Sequence, residues 1–275
     1  MFAHPSDSPR RRHVTPFAAL VVGVAAVLLP LQIVSAGAAP STSPKPTIVL
    51  EHGAFADASG WNGVTKRLQH DGYTVIAPAN PERGLDPDSA YLSSILDTVQ
   101  GPIVLVGHSY GGAVITNAAN GHANVKALVF IAAFAPDTGE TVGGLAALNP
   151  GSGLTPANLV VRPYPGGADG YIKPSVFHQV FAADLSAETA AIMAASQRPA
   201  DLGVLGEQSG TPAWKTIPSW YMVASNDMTI PPATERFMAH RANATTVEVA
   251  SSHVAMVSHP DAVEDLIVTA ANTAH

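Results

Sequence analysis

The sequence predicts an α/β protein, a mostly parallel central sheet of about six strands flanked by helices. From Thr47 onward, short β-branched and aliphatic runs alternate with amphipathic stretches, the order that lays helices over a parallel sheet. Most of these runs are apolar throughout instead of alternating with polar residues, as strands buried on both faces must be. The chain has 275 residues, 47% hydrophobic and 13% charged, enough for one large domain or two small ones. That composition excludes disorder and coiled coil.

Residues 1–38 read as an export signal. Arg10-Arg11-Arg12 precede an apolar run over 17–34, interrupted by Pro30 and Gln32, and small residues Ser35-Ala36-Gly37-Ala38 follow. A charged start, an apolar middle and a small-x-small end define such a segment. Ala36-x-Ala38 places cleavage after Ala38, and Val34-x-Ala36 offers a second position. The arginines behind Ser8 partly fit a twin-arginine signal. The competing reading is an uncleaved anchor, since the run is near the spanning minimum of about 17 to 20 residues; the small-residue end favours cleavage. Loss of 1–38 removes three Arg and Asp7 and takes the formal charge from -7 to -9. The mature protein is expected to be secreted, with no stable membrane association.

Residues 39–46 form a short flexible lead, and 47–275 form the folded domain. Strands are expected over 47–50, 74–77, 103–106, 127–131, 220–223 and 246–249. Trp61, Val64 and Leu68 recur at helical spacing, as do Leu92, Ile95, Leu96 and Val99 behind Ser89 as a cap. Val263, Leu266 and Ile267 mark a last helix after Pro260. The alternation breaks over about 137–213, too long for a loop. Helical pieces there, Val176-Phe177-Val180-Phe181 and 187–197 ending before Pro199, point to an inserted helical cap over one end of the sheet. The plainer alternative is a decoration away from any site.

Lys+Arg 14 against Asp+Glu 21 repels phosphate and argues against nucleic acid as a partner. Without cysteine there is no disulfide, thiolate metal site or cysteine nucleophile.

The chemistry is concentrated in a few loops. Gly107-His108-Ser109-Tyr110-Gly111 follows the strand at 103–106 and precedes an apolar helix start. A serine between glycines at such a transition can sit on a tight, strained turn with its hydroxyl aimed out of the sheet. The bland alternative is a serine that only caps the helix. A serine hydroxyl needs a base to become a nucleophile. His253, just after the strand at 246–249, falls on the same sheet edge as Ser109; His259, beside Pro260, is its nearest competitor. His108 is expected to pack beneath the turn and His52 to hydrogen-bond loop backbone.

The imidazole needs a carboxylate partner, and Asp227, at the end of the strand at 220–223, is the candidate. Its plain alternative is a turn residue before Pro231-Pro232, and Asp137 is the runner-up for the acid. His52-Gly53-Ala54-Phe55 follows the first strand at the same edge. The N–H of Ala54, or of Phe55, can join that of Tyr110 in binding an oxyanion.

With these motifs in place, the chain from Thr47 onward resembles the α/β-hydrolase superfamily. His52-Gly53-Ala54 with downstream Trp61, the Gly107–Gly111 pentapeptide and Ser252-His253-Val254 are similar to the small capped serine esterases related to plant methylesterases and hydroxynitrile lyases. The serine, acid, histidine order also matches. The resemblance implies a cofactor-free hydrolase that cleaves esters through an acyl-enzyme, with Ser109, Asp227 and His253 as its triad. Ala54 and Tyr110 would be its oxyanion donors. The lyase branch carries a hydroxyl residue after the first histidine and a lysine after the triad histidine. Here those places hold Gly53 and Val254, which favours hydrolysis.

The expected activity is carboxylesterase action on small to medium uncharged esters. Thioesterase, lactonase or amidase action on the same triad is one alternative, and a non-catalytic small-ligand binding protein is the other. Phe177, Phe181, Met193, Trp214 and Met256 are candidates for an apolar pocket, though such residues more often form core.

Overall fold

The six expected strand runs assemble into one parallel sheet. The computed structural model describes residues 45–274 together with Pro16 and Ala18; apart from those two positions, the expected export signal lies outside the described residues. In chain order the strands are β1 (Thr47–Glu51), β2 (Val75–Ile76), β3 (Ile103–Ser109), β4 (Val125–Ala133), β5 (Leu159–Tyr164), β6 (Gly167–Ile172), β7 (Ala200–Asp201), β8 (Ser219–Ala224) and β9 (Thr245–Val249). The helices are α1 (Asn62–His70), α2 (Leu85–Leu96), α3 (Tyr110–Ala118), α4 (Val142–Ala146), α5 (Pro174–Phe181), α6 (Ala187–Ala195), α7 (Pro232–Arg241), α8 (Ala255–Ser258) and α9 (Pro260–Ala271).

The sheet order is β2-β1-β3-β4-β8-β9, with every pairing parallel. The central strands are the most apolar: Ile103, Val104, Leu105 and Val106 of β3 have no exposed surface. Each such side chain contributes roughly 1.5–3 kcal/mol of burial. Helix α1 turns Val64 and Leu68 inward, and α9 does the same with Val263 and Ile267.

Strand order reverses between β1 and β3, because the chain leaves β1 toward β2 on one side and leaves β3 toward β4 on the other. Such a switch point opens a crevice at the carboxyl ends of the two strands. The loops after β1 and β3 meet there.

One local expectation is corrected. Helix α2 starts at Leu85, and Ser89 is not its cap. The Asp88 carboxylate turns back to accept the Arg83 N–H at 3.1 Å, while Ser89 Oγ donates to the Val114 carbonyl at 3.4 Å. Pro87 fits because the first helical turn needs no N–H there.

Between β4 and β8 the expected helical segments appear as α5 and α6, flanked by the strands of a small antiparallel sheet, β5-β6-β7, that the sequence did not announce. Pro165-Gly166 makes its hairpin turn, with Gly166 at φ +98°. Proline followed by a positive-φ glycine is the type II arrangement. The strands themselves are half-exposed and interrupted by Pro163, so their pattern was weak. Among the described residues no helix is long and apolar enough to cross a membrane.

Candidate active site

Strand β3 runs directly into α3, with Ser109 the last strand residue and Tyr110 the first of the helix. Ser109 adopts φ +53° and ψ -124°, a backbone strained by about 1–3 kcal/mol for a residue with a Cβ. The flanking glycines make this possible by letting main chains touch. A Cβ on Gly107 would lie 2.7 Å from the Gly111 carbonyl oxygen, and one on Gly111 would lie 2.7 Å from the Glu51 and His52 oxygens. No other residue fits either position without moving backbone.

The loop after β9 brings His253 to the serine. Its Nε2 lies 2.8 Å from Ser109 Oγ, and its Nδ1 lies 2.5 Å from Asp227 Oδ2. The His253 and Asp227 side chains are fully enclosed. Asp227 serves two purposes, one per oxygen. Oδ1 accepts the N–H groups of Thr229 at 2.5 Å and Ile230 at 3.0 Å, forming the local turn, while Oδ2 faces His253. Turn residue and histidine partner are therefore the same side chain.

The competitors lie elsewhere. Asp137 is ion-paired at the surface with Lys215 at 2.5 Å. His259 precedes α9 and meets Ser258 Oγ at 2.8 Å.

The two other buried histidines hold backbone. His108 Nε2 lies 2.9 Å from the His253 carbonyl oxygen, which can only accept, so its proton sits on Nε2. Burial holds His108 well below the usual histidine range and hence neutral. His52 Nε2 accepts the Asn80 N–H at 2.9 Å. Its proton is therefore on Nδ1, which donates to the Gly53 carbonyl at 3.0 Å. That carbonyl belongs to the peptide whose N–H is Ala54's, so the ring fixes the plane of a candidate oxyanion donor.

Behind this loop sits a group of carboxyls that sequence reasoning missed. Glu82 is fully buried, at φ +56°, with its Oε1 3.4 Å from His52 Nδ1. Burial pushes its carboxyl to about 10. Glu51 is raised well above the usual range by burial and then by the Asp88 charge. Beside Asp227, burial and the Asp227 charge likewise raise Glu235. Sequence patterns assign glutamate to surfaces, and no local signal marks these as buried.

Ser109, Ala54 and Tyr110 line one cavity of about 500 Å³, with Phe55, Phe134, Leu154 and Leu205 among its walls. None of the five sequence candidates for a pocket lines it. Phe177, Phe181 and Trp214 are core, and Met193 and Met256 border a separate cavity of about 190 Å³. Tertiary packing of the segment between β4 and β8 chooses these walls. Among the described residues no group of three His, Asp or Glu side chains is arranged to hold a metal ion.

The sheet, the strained serine turn and the loops converging on it define an α/β hydrolase. The sequence profile of the alpha/beta hydrolase family matches residues 48–266; the chain belongs to this family and is an enzyme of the hydrolase class. The alpha/beta hydrolase nvfD of Aspergillus novofumigatus (strain IBT 16806) is 24% identical over 253 residues, covering 84% of this chain and 98% of its own. A carbendazim hydrolyzing esterase of Nocardioides sp. (strain SG-4G) is 31% identical over 110 residues, 35% of this chain and 46% of its own. Polyneuridine aldehyde esterase shares the fold, with a TM-score of 0.69 at 20% identity over 82% of this chain and 99% of that one. The expected resemblance therefore holds at the level of the alpha/beta hydrolase family, and the likeness to polyneuridine aldehyde esterase at the level of the fold.

Proposed function

We propose that the protein is a serine carboxylesterase that cleaves small to medium uncharged carboxylic esters through an acyl-enzyme. Ser109 is the nucleophile, His253 the general base and acid, and Asp227 the carboxylate that holds the imidazole. The backbone N–H groups of Ala54 and Tyr110 bind the oxyanion. The observation that carries this reading is the buried hydrogen-bonded chain from Asp227 through His253 to Ser109, ending in the 500 Å³ cavity.

His253 takes the Ser109 proton as the alkoxide attacks the ester carbonyl, and the resulting oxyanion lies against the two N–H groups. The protonated imidazole, stabilised by Asp227, passes its proton to the leaving alcohol. Water then attacks the acyl-serine by the same route and frees the acid. The cavity walls include no Asp, Glu, Lys or Arg, so a charged substrate would lose its hydration without gaining a partner. Esterases among the relatives support the ester as the bond cleaved.

Intact-mass spectrometry before and after a fluorophosphonate tests the chemistry. One adduct on Ser109, absent in His253→Ala, is expected; folded protein that takes no adduct overturns the reading. A panel of matched ester, thioester, lactone and amide substrates then tests the bond. The arginine-led apolar segment supports export, and the amino-terminal sequence of protein recovered from culture medium should begin at Ala39.

A further inference from the structure

The His253 backbone is gripped from two sides. His108 Nε2 donates to its carbonyl oxygen at 2.9 Å. On its amino side, the preceding residue is held by a carboxylate from the segment between β4 and β8. Asp184 Oδ2 accepts the Ser252 N–H at 3.0 Å and Asp184 Oδ1 accepts the Ser252 hydroxyl at 2.5 Å. Asp184 follows α5 closely, and α5 also carries Phe181, whose ring centroid lies 5.0 Å from that of His253 at 62°.

The same helix end is tied to the acid loop, where Thr229 Oγ1 donates to the Val180 carbonyl at 2.9 Å. Asp227 itself binds the Thr229 N–H. The end of α5 thus touches both loops that carry the histidine and its carboxylate. His108 is part of the sheet scaffold, whereas Asp184 belongs to the segment whose residues wall the substrate cavity.

We propose that Asp184 is a positioning residue for the general base. Acting through Ser252, it sets the height of the His253 ring against Ser109 and links the placement of the cavity-walling segment to the reactivity of the serine. It touches neither substrate nor reacting atoms. Two hydrogen bonds to a carboxylate on one residue fix both its backbone and its side chain, and a shift of about 1 Å at the base can lower the rate by about a hundredfold. The proposal rests on the function proposed above, and its test includes a readout that needs no turnover.

In Asp184→Ala the expected result is a kcat roughly ten- to a hundredfold lower with KM changed less than about threefold, and fluorophosphonate labelling of Ser109 slowed in parallel. Ser252→Ala should act in the same direction, the double variant should be no worse than Asp184→Ala alone, and Asp184→Glu should recover part of the rate. In protein carrying ¹⁵N-histidine, the downfield Nδ1–H proton of His253 should shift or broaden in Asp184→Ala.

An Asp184→Ala protein that keeps kcat, labelling rate and this resonance overturns the proposal, even if its melting temperature falls. A resonance that responds in Asp184→Ala while wild-type protein takes no adduct overturns the esterase reading and sustains the positioning role.

Discussion

A Cβ on Gly53 would lie 2.6 Å from the Cβ of Ser109 and 2.7 Å from the His108 carbonyl oxygen. The loop that offers Ala54 and the turn that offers Ser109 are thus in backbone contact. Gly53→Ala must push them apart, carrying the Ala54 N–H away from the proposed oxyanion position. Removing one such donor costs about 10²–10³-fold in kcat. Steady-state kinetics should show a loss of that order; a variant within threefold of wild type would mean that Ala54 is not a donor.

Asp227 and Asp137 separate cleanly. Asp227 faces His253 at 2.5 Å inside the protein, whereas Asp137 pairs with Lys215 at the surface. Asp227→Asn should lower kcat by about 10³–10⁴-fold through the wrong tautomer of the histidine. Asp137→Asn should leave it within about twofold, because exposed pairs contribute little. The reverse pattern in paired assays would reassign the acid.

Glu82 predicts a pH dependence of stability. Burial holds its carboxyl at about 10 when folded, against 4.5 for the unfolded group. The native state therefore binds the extra proton. The stability this contributes is complete below pH 4.5 and declines as pH rises toward 10. Glu82→Gln keeps the shape without the proton, so its stability relative to wild type should grow by roughly 3–4 kcal/mol between pH 5 and pH 8. Urea unfolding at the two pH values measures this, and an unchanged difference would refute a protonated Glu82.

Phe55 lines both the 500 Å³ cavity at Ser109 and the 190 Å³ cavity bordered by Met193 and Met256. It is nearly fully buried, at φ +64°, and borders both spaces. Phe55→Ala should join them and raise kcat/KM for p-nitrophenyl decanoate relative to the acetate by roughly tenfold, since each added methylene that finds apolar room is worth about 1–3 kcal/mol. An unchanged ratio would mean that the second cavity does not connect.

Much of the site was legible because its parts are local. Ser109 stands between glycines at a strand end, and Asp227 and His253 follow their own strands within a few residues. Parallel pairing then carries all three to one edge. The hairpin β5-β6 was harder to read, since half-exposed strands lack the apolar run that identifies β3. Asp184 and Ser252 are 68 residues apart, and neither has a neighbour in sequence that names the other.

The six runs that form the parallel sheet, the edge to which they bring Ser109, Asp227 and His253 and the residue types there are legible in the sequence alone, because burial pattern and turn chemistry act over a few residues. Tertiary structure alone decided which side chains wall the cavity, which glutamates are buried, and which carboxylate holds the histidine loop. Those outcomes depend on dehydration and on contacts between distant segments, and such energies exist only once the chain has closed on itself.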